Sequence, residues 1–344
     1  MRLRTTVRLG ASAILAAALL AACGHGTPII SGSPTPGPSY HPYVSSQYPI
    51  PTKSSRPMGI TLGADSNLWF TEYAASKIGE LSTLGAVTDN VTPTTKAEPD
   101  GIATGPNGLI WFTETGTGKI GQFNSTTTTP VFVEYALPAA GAHPVGITLG
   151  SDGSMWATDP GTNSVWRIAI NGSATRVYLS GNAQPQGIVS GPDGAVWFTE
   201  PGTNRIGRIA TTGKQPLATD YPVPTLNSGV TGIAAGTDNA LWFTETKAIK
   251  IGRISVAGSV TNEYPLAGAK TPDAIVQGID GNFYFTDTLG NAIGRLDPGN
   301  SQVKIYPIPT SNTKPTGIVL GPDNQIYFTE SANDAIGQFK YFCC

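Results

Sequence analysis

A motif of about ten residues recurs seven times along the chain, and it constrains the fold more than any other feature. Its fullest copy reads Gly-Pro-Asp-Gly-Ala-Val-Trp-Phe-Thr-Glu over residues 191–200. Counted from the Gly-Ile dipeptide before it, the copies are 42, 45, 41, 45, 42 and 43 residues apart and start at Gly59, Gly101, Gly146, Gly187, Gly232, Ala274 and Gly317. Short strands repeated at this period are typical of a β-propeller. The sequence therefore predicts an all-β fold, a seven-bladed propeller of four-stranded blades.

Each repeat contains four segments of strand length, which the fourth copy shows at 187–190, 195–199, 205–209 and 220–224. A Pro-Asp-Gly turn joins the first two, because Pro fixes φ and Asp-Gly accepts positive φ. The second segment carries adjacent aromatic residues that point to opposite faces of a strand. The third contains an Ile-Gly pair, where glycine indicates close approach of a neighbouring group, and the fourth contains prolines suited to an outer edge.

The two ends of the chain are expected to complete one blade together. The last repeat stops after its third segment at Phe342, whereas an unpartnered Tyr48-Pro-Ile-Pro51 precedes the first repeat. We therefore expect an N-terminal strand to complete the seventh blade and close the ring, with the propeller spanning residues 48–344.

The N-terminal segment reads as an export signal. Three arginines within the first eight residues precede an apolar stretch, Leu9 to Ala22, that is too short to span a bilayer. Leu20-Ala-Ala-Cys23 resembles the bacterial lipobox, which predicts a lipoprotein signal peptide over residues 1–22 and lipidation of Cys23. An ordinary secretory signal is the alternative.

Residues 23–47 are rich in Gly, Pro and Ser and predict a flexible tether, so we expect a lipid-anchored protein on the extracytoplasmic side of a bacterial envelope membrane.

Composition narrows the range of partners. The net charge is −2, and without the leader 18 basic residues face 23 acidic ones, giving −5, with no basic run. This balance argues against nucleic acid as a partner. Besides Cys23 the chain contains only Cys343 and Cys344, so no disulfide framework and no Cys/His metal motif is present in the sequence. We expect a monomer that contacts the membrane only through its lipid anchor.

Two positions in each repeat are expected to share one face near the central channel. The first and second strands are antiparallel, so the residue before Gly-Ile lies beside the acid that ends Trp-Phe-Thr-Glu. The acids are Glu72, Glu114, Asp159, Glu200, Glu245, Asp287 and Glu330. The residues before Gly-Ile are Met58, Asp100, Val145, Gln186, Thr231, Asp273 and Thr316. Because the second set varies, it would give a symmetric ring an asymmetric pocket, with the acids and Gln186 as its binding funnel.

Such a ring of carboxylates could hold Mg²⁺ or Ca²⁺ through oxygen ligands. Asp100 with Glu114, and Asp273 with Asp287, are the densest acidic pairs, and Glu114 and Asp287 are the predicted metal ligands. The alternative is that a residue repeated in every blade serves the repeat itself, by accepting hydrogen bonds from loop amides or by pairing with Lys77, Lys119, Arg205 or Lys250.

His143 is the one histidine inside the predicted ring. It stands three residues before Gly146 and could act as a base or a ligand at the funnel. The alternative is an ordinary loop residue.

The repeats resemble those of the virginiamycin B lyase (streptogramin lyase) family, which read Pro-x-Gly-Ile, then Gly-Pro-Asp-Gly-x-Leu-Trp-Phe-Thr-Glu, then Asn-x-Ile-Gly-Arg-Ile. The resemblance runs from Tyr48 to Phe339. It implies a seven-bladed propeller and, for the founding enzymes, a Mg²⁺-dependent elimination that opens the ester of a cyclic depsipeptide antibiotic. It also implies catalysis by a histidine before Gly-Ile, the glutamate of the same blade and a further histidine nearby. Glutamates match in five blades, but none of the seven residues before Gly-Ile is histidine.

Two main hypotheses follow. The first is an anchored propeller that binds a small-molecule, glycan or protein ligand at the funnel. The second is a metal-dependent carbon–oxygen lyase or hydrolase acting on a cyclic depsipeptide or lactone, with Mg²⁺ as cofactor and Asp100, Glu114, His143 and Asp273 as catalytic candidates. A purely structural role in the envelope is the third.

Overall fold

The computed structural model describes residues 42–125, 131–213 and 216–341. The predicted signal peptide, Cys23, and the pair Cys343 and Cys344 lie outside the described residues. Within them no helix is long and apolar enough to cross a membrane.

The described residues form seven four-stranded antiparallel sheets, which confirms the predicted propeller. The first strand, β1 (Tyr43–Pro49), belongs to the seventh blade. The next three blades contain β2 (Pro57–Leu62), β3 (Leu68–Glu72), β4 (Lys77–Leu81) and β5 (Val87–Val91); β6 (Pro99–Thr104), β7 (Ile110–Glu114), β8 (Lys119–Phe123) and β9 (Phe132–Ala136); and β10 (Ile147–Leu149), β11 (Met155–Asp159), β12 (Ser164–Ile168) and β13 (Ala174–Tyr178).

The remaining blades follow the same order. They contain β14 (Ile188–Ser190), β15 (Val196–Glu200), β16 (Arg205–Ile209) and β17 (Ala218–Pro222); β18 (Val230–Ala235), β19 (Ala240–Glu245), β20 (Lys250–Ser255) and β21 (Val260–Pro265); β22 (Pro272–Gln277), β23 (Phe283–Asp287), β24 (Ala292–Asp297) and β25 (Gln302–Pro307); and β26 (Pro315–Leu320), β27 (Ile326–Glu330) and β28 (Ala335–Lys340) with β1. Short 3₁₀ helices lie at Tyr73–Ala75 and Pro106–Gly108.

The N-terminal strand closes the ring as expected. β1 pairs antiparallel with β28, from Tyr43 opposite Lys340 to Pro49 opposite Ala335. It begins at Tyr43 rather than Tyr48, so it includes residues that the sequence analysis gave to the tether. The reason is that Val44 packs into the core of the seventh blade and Ser45 bonds to Gln338 across the pair.

Adjacent aromatic residues bind each blade to both of its neighbours. Trp197 packs with Leu241 and Ile254 of blade 5, whereas Phe198 packs with Trp156 of blade 3. Both aromatic side chains are completely buried. This burial on both faces of a strand holds the ring together without a separate central core.

Candidate functional site

A bulge at the start of each complete first strand turns one side chain toward the ring axis. In blade 1, Pro57 pairs with Glu72 and Ile60 pairs with Phe70, so Met58 and the glycine after it together oppose Thr71. The same shift occurs in blades 2, 5, 6 and 7. Bulges re-aim side chains and are frequent beside functional sites. Here the bulge presents the residue before Gly-Ile to the channel.

A ring of threonines fixes these bulges. Thr71 Oγ1 accepts the amide hydrogen of Gly59 at 2.9 Å and donates to the Asp100 carbonyl of the next blade at 2.8 Å. Every blade repeats the second contact, with the threonines Thr71, Thr113, Thr158, Thr199, Thr244, Thr286 and Thr329 at 2.5 to 2.9 Å from the carbonyls they reach. Sequence reasoning missed this role, although the threonine of Trp-Phe-Thr appears in all seven copies.

The bulges surround a cavity of about 410 Å³ on the ring axis, which we call the axial cavity. It is lined by all seven residues before Gly-Ile, by the residue that follows each of them and by Pro160. Asp100, Asp273 and Gln186 of the predicted site are therefore brought together. The volume falls in the range of small-molecule sites in proteins.

Asp100 and Asp273 dominate the electrostatics of the axial cavity. Both side chains are half-buried, and neither carboxylate accepts a hydrogen bond from the residues that the structure describes. Burial raises the pKa of Asp273 to about 6. Burial also raises the pKa of Asp100 to about 6, where the charge of Arg56 lowers it and that of Asp273 raises it further. The threonine hydroxyls of the lining are already bonded, Thr231 to Thr244 and Thr316 to Thr329.

The sequence analysis predicted that the seven repeated acids lie at the funnel. In the structure none of them lines the axial cavity. Glu200 follows Phe198 by two residues, so both side chains lie on the same side of β15. That side is buried and does not face the channel. All seven acids are at most 1% exposed: Glu72, Glu114, Asp159, Glu200, Glu245, Asp287 and Glu330. Alternation along the second strand accounts for this, because it places each acid on the same buried side as the residue two positions before it.

Three of these acids are held by neighbouring donors. Asp159 accepts hydrogen bonds from the His143 amide, from Thr162 and from the Trp166 indole. Asp287 accepts hydrogen bonds from three backbone amides, those of Lys270, Thr271 and Gly290. Glu330 accepts hydrogen bonds from the side-chain amides of Gln47 and Asn333. These contacts fasten loops and the closing strand.

The other four acids each lie near a second acid on the fourth strand of the blade. The pairs are Glu72 with Asp89, Glu114 with Glu134, Glu200 with Asp220, and Glu245 with Glu263. Burial raises the pKa of each repeated glutamate to about 7, and the charge of its neighbour adds to the effect. The lysines expected to pair with the repeated acids contact the second acids instead: Lys77 with Asp89, Lys119 with Glu134 and Lys250 with Glu263.

His143 and the predicted metal ligands also lie away from the axial cavity. His143 is exposed, and only its backbone amide contacts an acid, Asp159. Glu114 and Asp287 are buried in blades 2 and 6, each within its own set of contacts. Across the described ranges no group of three or more His, Cys, Asp and Glu residues is arranged to hold a metal ion.

The fold and the cavity define the class of protein, a seven-bladed β-propeller with a cavity of small-molecule size on its axis. The model of the virginiamycin B lyase family matches residues 42–216 and 180–342, so the chain belongs to that family.

Solved structures agree with this membership. Virginiamycin B lyase from Staphylococcus aureus is 33% identical, with a TM-score of 0.80 over 86% of this chain and 99% of that one. A streptogramin B lyase is 34% identical, with a TM-score of 0.80 over 86% and 96% of the two chains. A catalytically inactive variant of the S. aureus enzyme with quinupristin gives 33% identity, the same TM-score and the same coverage as the first structure.

Proposed function

We propose that this chain is a binding propeller that holds a small ligand with a positively charged group in its axial cavity, between Asp100 and Asp273. The observation that carries the proposal is the pair of carboxyl groups that face the cavity without a hydrogen-bond donor among the described residues. A carboxylate removed from water is stabilised by a nearby positive charge. A ligand cation would supply that charge, which the protein supplies through Arg56 at Asp100 but not at Asp273 among the described residues.

The lining favours binding over the elimination known from the founding enzymes. Such an elimination requires a base at the proton next to the carbonyl and an acid at the departing oxygen. The axial cavity presents no imidazole, because none of the seven residues before Gly-Ile that line it is a histidine. The threonine hydroxyls are committed to the neighbouring strands.

The donor set suits an organic cation better than Mg²⁺. Mg²⁺ requires near-octahedral coordination by oxygen atoms. The cavity offers two carboxylates from blades 2 and 6, and its other lining atoms are largely glycine backbone and apolar side chains. An ammonium group carries its own hydrogen-bond donors and is satisfied by fewer ligands.

Export and lipid anchoring are part of the proposal. They are supported by the lipobox at Leu20 to Cys23 and by the apolar stretch before it. A Cys23→Ser variant should move from the membrane fraction to the soluble fraction when the full chain is expressed in a bacterium. Equal distribution of the two forms would contradict anchoring through Cys23.

Calorimetric titration tests the binding proposal. Benzylamine, which is cationic at neutral pH, should bind the protein, and benzyl alcohol, its neutral analogue, should not. Asp273→Asn should weaken benzylamine binding at least tenfold, about 1.4 kcal/mol. Asp297→Asn, which removes a carboxylate at the end of β24 outside the cavity, is the matched control and should bind normally. Binding of MgCl₂ in place of the amine, or no binding at all, would contradict the proposal.

The second candidate is a carbon–oxygen lyase or hydrolase acting on a cyclic depsipeptide or lactone. Its support is 33% identity to virginiamycin B lyase and the presence of two cavity carboxyls whose pKa of about 6 is suited to a base near neutral pH. Quinupristin is the first substrate to test. Elimination would give a linear product of unchanged mass, and hydrolysis would add one water. Loss of product in Asp100→Asn would support this candidate over simple binding.

A further inference from the structure

A second pocket, distinct from the axial cavity, lies where blade 7 meets blade 1. It has a volume of about 240 Å³ and shares no lining residue with the axial cavity. Its walls include Tyr48 of β1, Leu68 and Leu81 of blade 1, and Asp323 and Tyr327 of blade 7. We call it the seam pocket.

The equivalent place between blades 4 and 5 is filled by aromatic side chains. There Trp197 stacks on Tyr221, with ring centroids 5.6 Å apart and planes inclined by 22°. The tyrosine in turn packs directly on Gly258, where an added Cβ would lie 1.9 Å from Tyr221 Cε1. Blades 2 and 3 repeat the arrangement, with Tyr135 against Gly172.

The seam pocket is open because a smaller ring occupies the tryptophan position. Tyr327 stands in blade 7 where blade 4 has an indole. The matching tyrosine, Tyr48, packs less deeply on its glycine than Tyr221 does: an added Cβ on Gly85 would lie 3.2 Å from Tyr48 Cε1, against 1.9 Å for Gly258 and Tyr221. Leu68 and Leu81 complete the wall on the side of blade 1 without filling the space.

The neighbouring seam shows that the space beside a tyrosine at the tryptophan position can hold another aromatic ring. Tyr284 also replaces tryptophan in blade 6, but there Tyr341 lies against it, with ring centroids 4.6 Å apart. The hydroxyl of Tyr341 accepts the amide hydrogen of Ile279 at 3.0 Å. An aromatic ring whose hydroxyl accepts a backbone hydrogen bond thus occupies that seam.

Asp323 gives the seam pocket a directional acceptor. In blade 4, Asp193 Oδ1 accepts both the Trp197 indole N–H at 3.0 Å and the Ala195 amide at 3.2 Å. The corresponding Oδ1 of Asp323 accepts the Gln325 amide at 3.1 Å and no other donor from the described residues. Tyr327 and Gln338 donate to the other oxygen, Oδ2. Oδ1 therefore keeps the acceptor capacity that an indole N–H uses in blade 4.

We infer that the seam pocket binds a planar aromatic molecule with an N–H donor, of which indole is the simplest, between Tyr48 and the two leucines and hydrogen-bonded to Asp323. Such a ligand would restore the contact that the Trp197 indole makes with Asp193 in blade 4. It would also bridge the closing strand β1 and blade 1, so its binding would stabilise ring closure.

Two variants and a matched control test this inference with the full chain. Tyr327→Trp places an indole in the pocket from within, and Thr83→Trp, at an exposed lining residue, covers the pocket from outside. Leu84→Trp is the control, because it adds the same side chain next to Thr83 at a residue that is 95% exposed and does not line the pocket. Benzofuran, which has the shape of indole without its N–H, tests the hydrogen bond.

We expect saturable indole binding by calorimetry in the parent protein and in Leu84→Trp. Binding should weaken at least tenfold in Tyr327→Trp and in Thr83→Trp, and benzofuran should bind the parent at least tenfold more weakly than indole. Failure of the parent to bind indole would overturn the inference, as would binding that persists unchanged in both pocket variants. Equal affinity for benzofuran would overturn the role of Asp323. Asp100→Asn and Asp273→Asn should leave indole binding unchanged, which separates this site from the axial cavity.

Discussion

Ala157 and Trp166 are paired across β11 and β12, at the position where each of the other six blades pairs a phenylalanine with a glycine. In blade 4 the reason for the usual pair is visible, since a Cβ on Gly207 would lie 2.2 Å from Phe198 Cζ. Blade 3 fills the same space from the opposite strand. Its indole also donates to Asp159 at 2.8 Å, a contact that phenylalanine cannot make.

The exchange predicts strong coupling between the two positions. Trp166→Gly alone should cost about 3–5 kcal/mol of unfolding free energy, because it leaves a cavity in the blade. Adding Ala157→Phe should recover part of that loss, since the ring refills the space. Ala157→Phe alone should destabilise by overpacking. Guanidinium unfolding of the four proteins in a double-mutant cycle measures the coupling, and additive effects would contradict this packing arrangement.

Glu114 predicts a pH dependence of stability. Its pKa in the folded protein is about 7 against an ordinary value of 4.5, because burial and the nearby Glu134 disfavour the charged form. A group whose pKa is raised by folding stabilises fully below its unfolded pKa, and that contribution is lost as pH rises toward 7. Glu114→Gln keeps the shape and stays neutral. The variant should therefore resemble the parent at pH 4 and exceed its unfolding free energy at pH 8 by about 1–3 kcal/mol.

Glu134→Gln should change the unfolding free energy at neutral pH in the opposite direction and serves as the control for that experiment. The pKa of Glu134 is lowered, because Lys119 and Thr94 bond to its carboxylate. Its contribution is present above the ordinary carboxyl pKa, so its removal should destabilise the protein at neutral pH. If Glu114→Gln followed the same pH curve as the parent, the protonated state assigned to Glu114 would be refuted.

Blade 2 lacks a contact that blade 4 shows. In blade 4, Asp193 accepts a hydrogen bond from the Trp197 indole and forms an ion pair with Arg208 at 2.8 Å. In blade 2 these positions are Asn107 and Gln122, and the indole nitrogen of Trp111 is buried without a partner among the described residues.

Combining Asn107→Asp with Gln122→Arg should therefore raise the unfolding free energy by about 1 kcal/mol. Asn107 has φ of 60°, a conformation that aspartate also tolerates. Thermal unfolding of the single and double variants measures the gain. A double variant no more stable than the parent would show that the contact does not transfer between blades.

The contacts of Gln47 are expected to stabilise the closure of the ring by β1. Its amide nitrogen donates to both carboxylate oxygens of the buried Glu330, at 2.7 and 2.8 Å, and its oxygen accepts from Thr310. Gln47→Ala should cost about 2–3 kcal/mol, because it removes donors from a buried carboxyl group. Ser46→Ala, in the same strand, should change stability by less than about 0.5 kcal/mol. Similar unfolding midpoints for the two variants would argue against a specific role of Gln47.

Much of the fold follows from the sequence because the repeat carries it. The period, the alternation of Trp197 and Phe198, and the missing fourth strand of the last repeat together determine blade number, strand order and closure. The beginning of β1 could not be placed, because Val44 and Ser45 lack the Tyr-Pro signature and are recognised only by what they pack against.

The candidate site was predicted only in part, for reasons of local geometry. Topology placed Asp100 and Asp273 beside the central channel, where both line the axial cavity. It could not show that a bulge opposite Thr71 turns one strand toward the axis while the adjacent Glu72 stays inside its blade. Nor could the repeat reveal the differing surroundings of identical acids, since these depend on side chains distant in sequence, such as Gln47 opposite Glu330.

Affinity for an organic cation as a function of pH tests the central claim most directly. The groups that govern the axial cavity are Asp100, Asp273 and Arg56, and both carboxyls have a pKa of about 6. Benzylamine should therefore bind well at pH 7.5 and at least tenfold more weakly at pH 5, and Asp273→Asn should reduce that difference. Binding that is unchanged between these pH values, or equally strong in Asp273→Asn, would contradict a ligand held between the two aspartates.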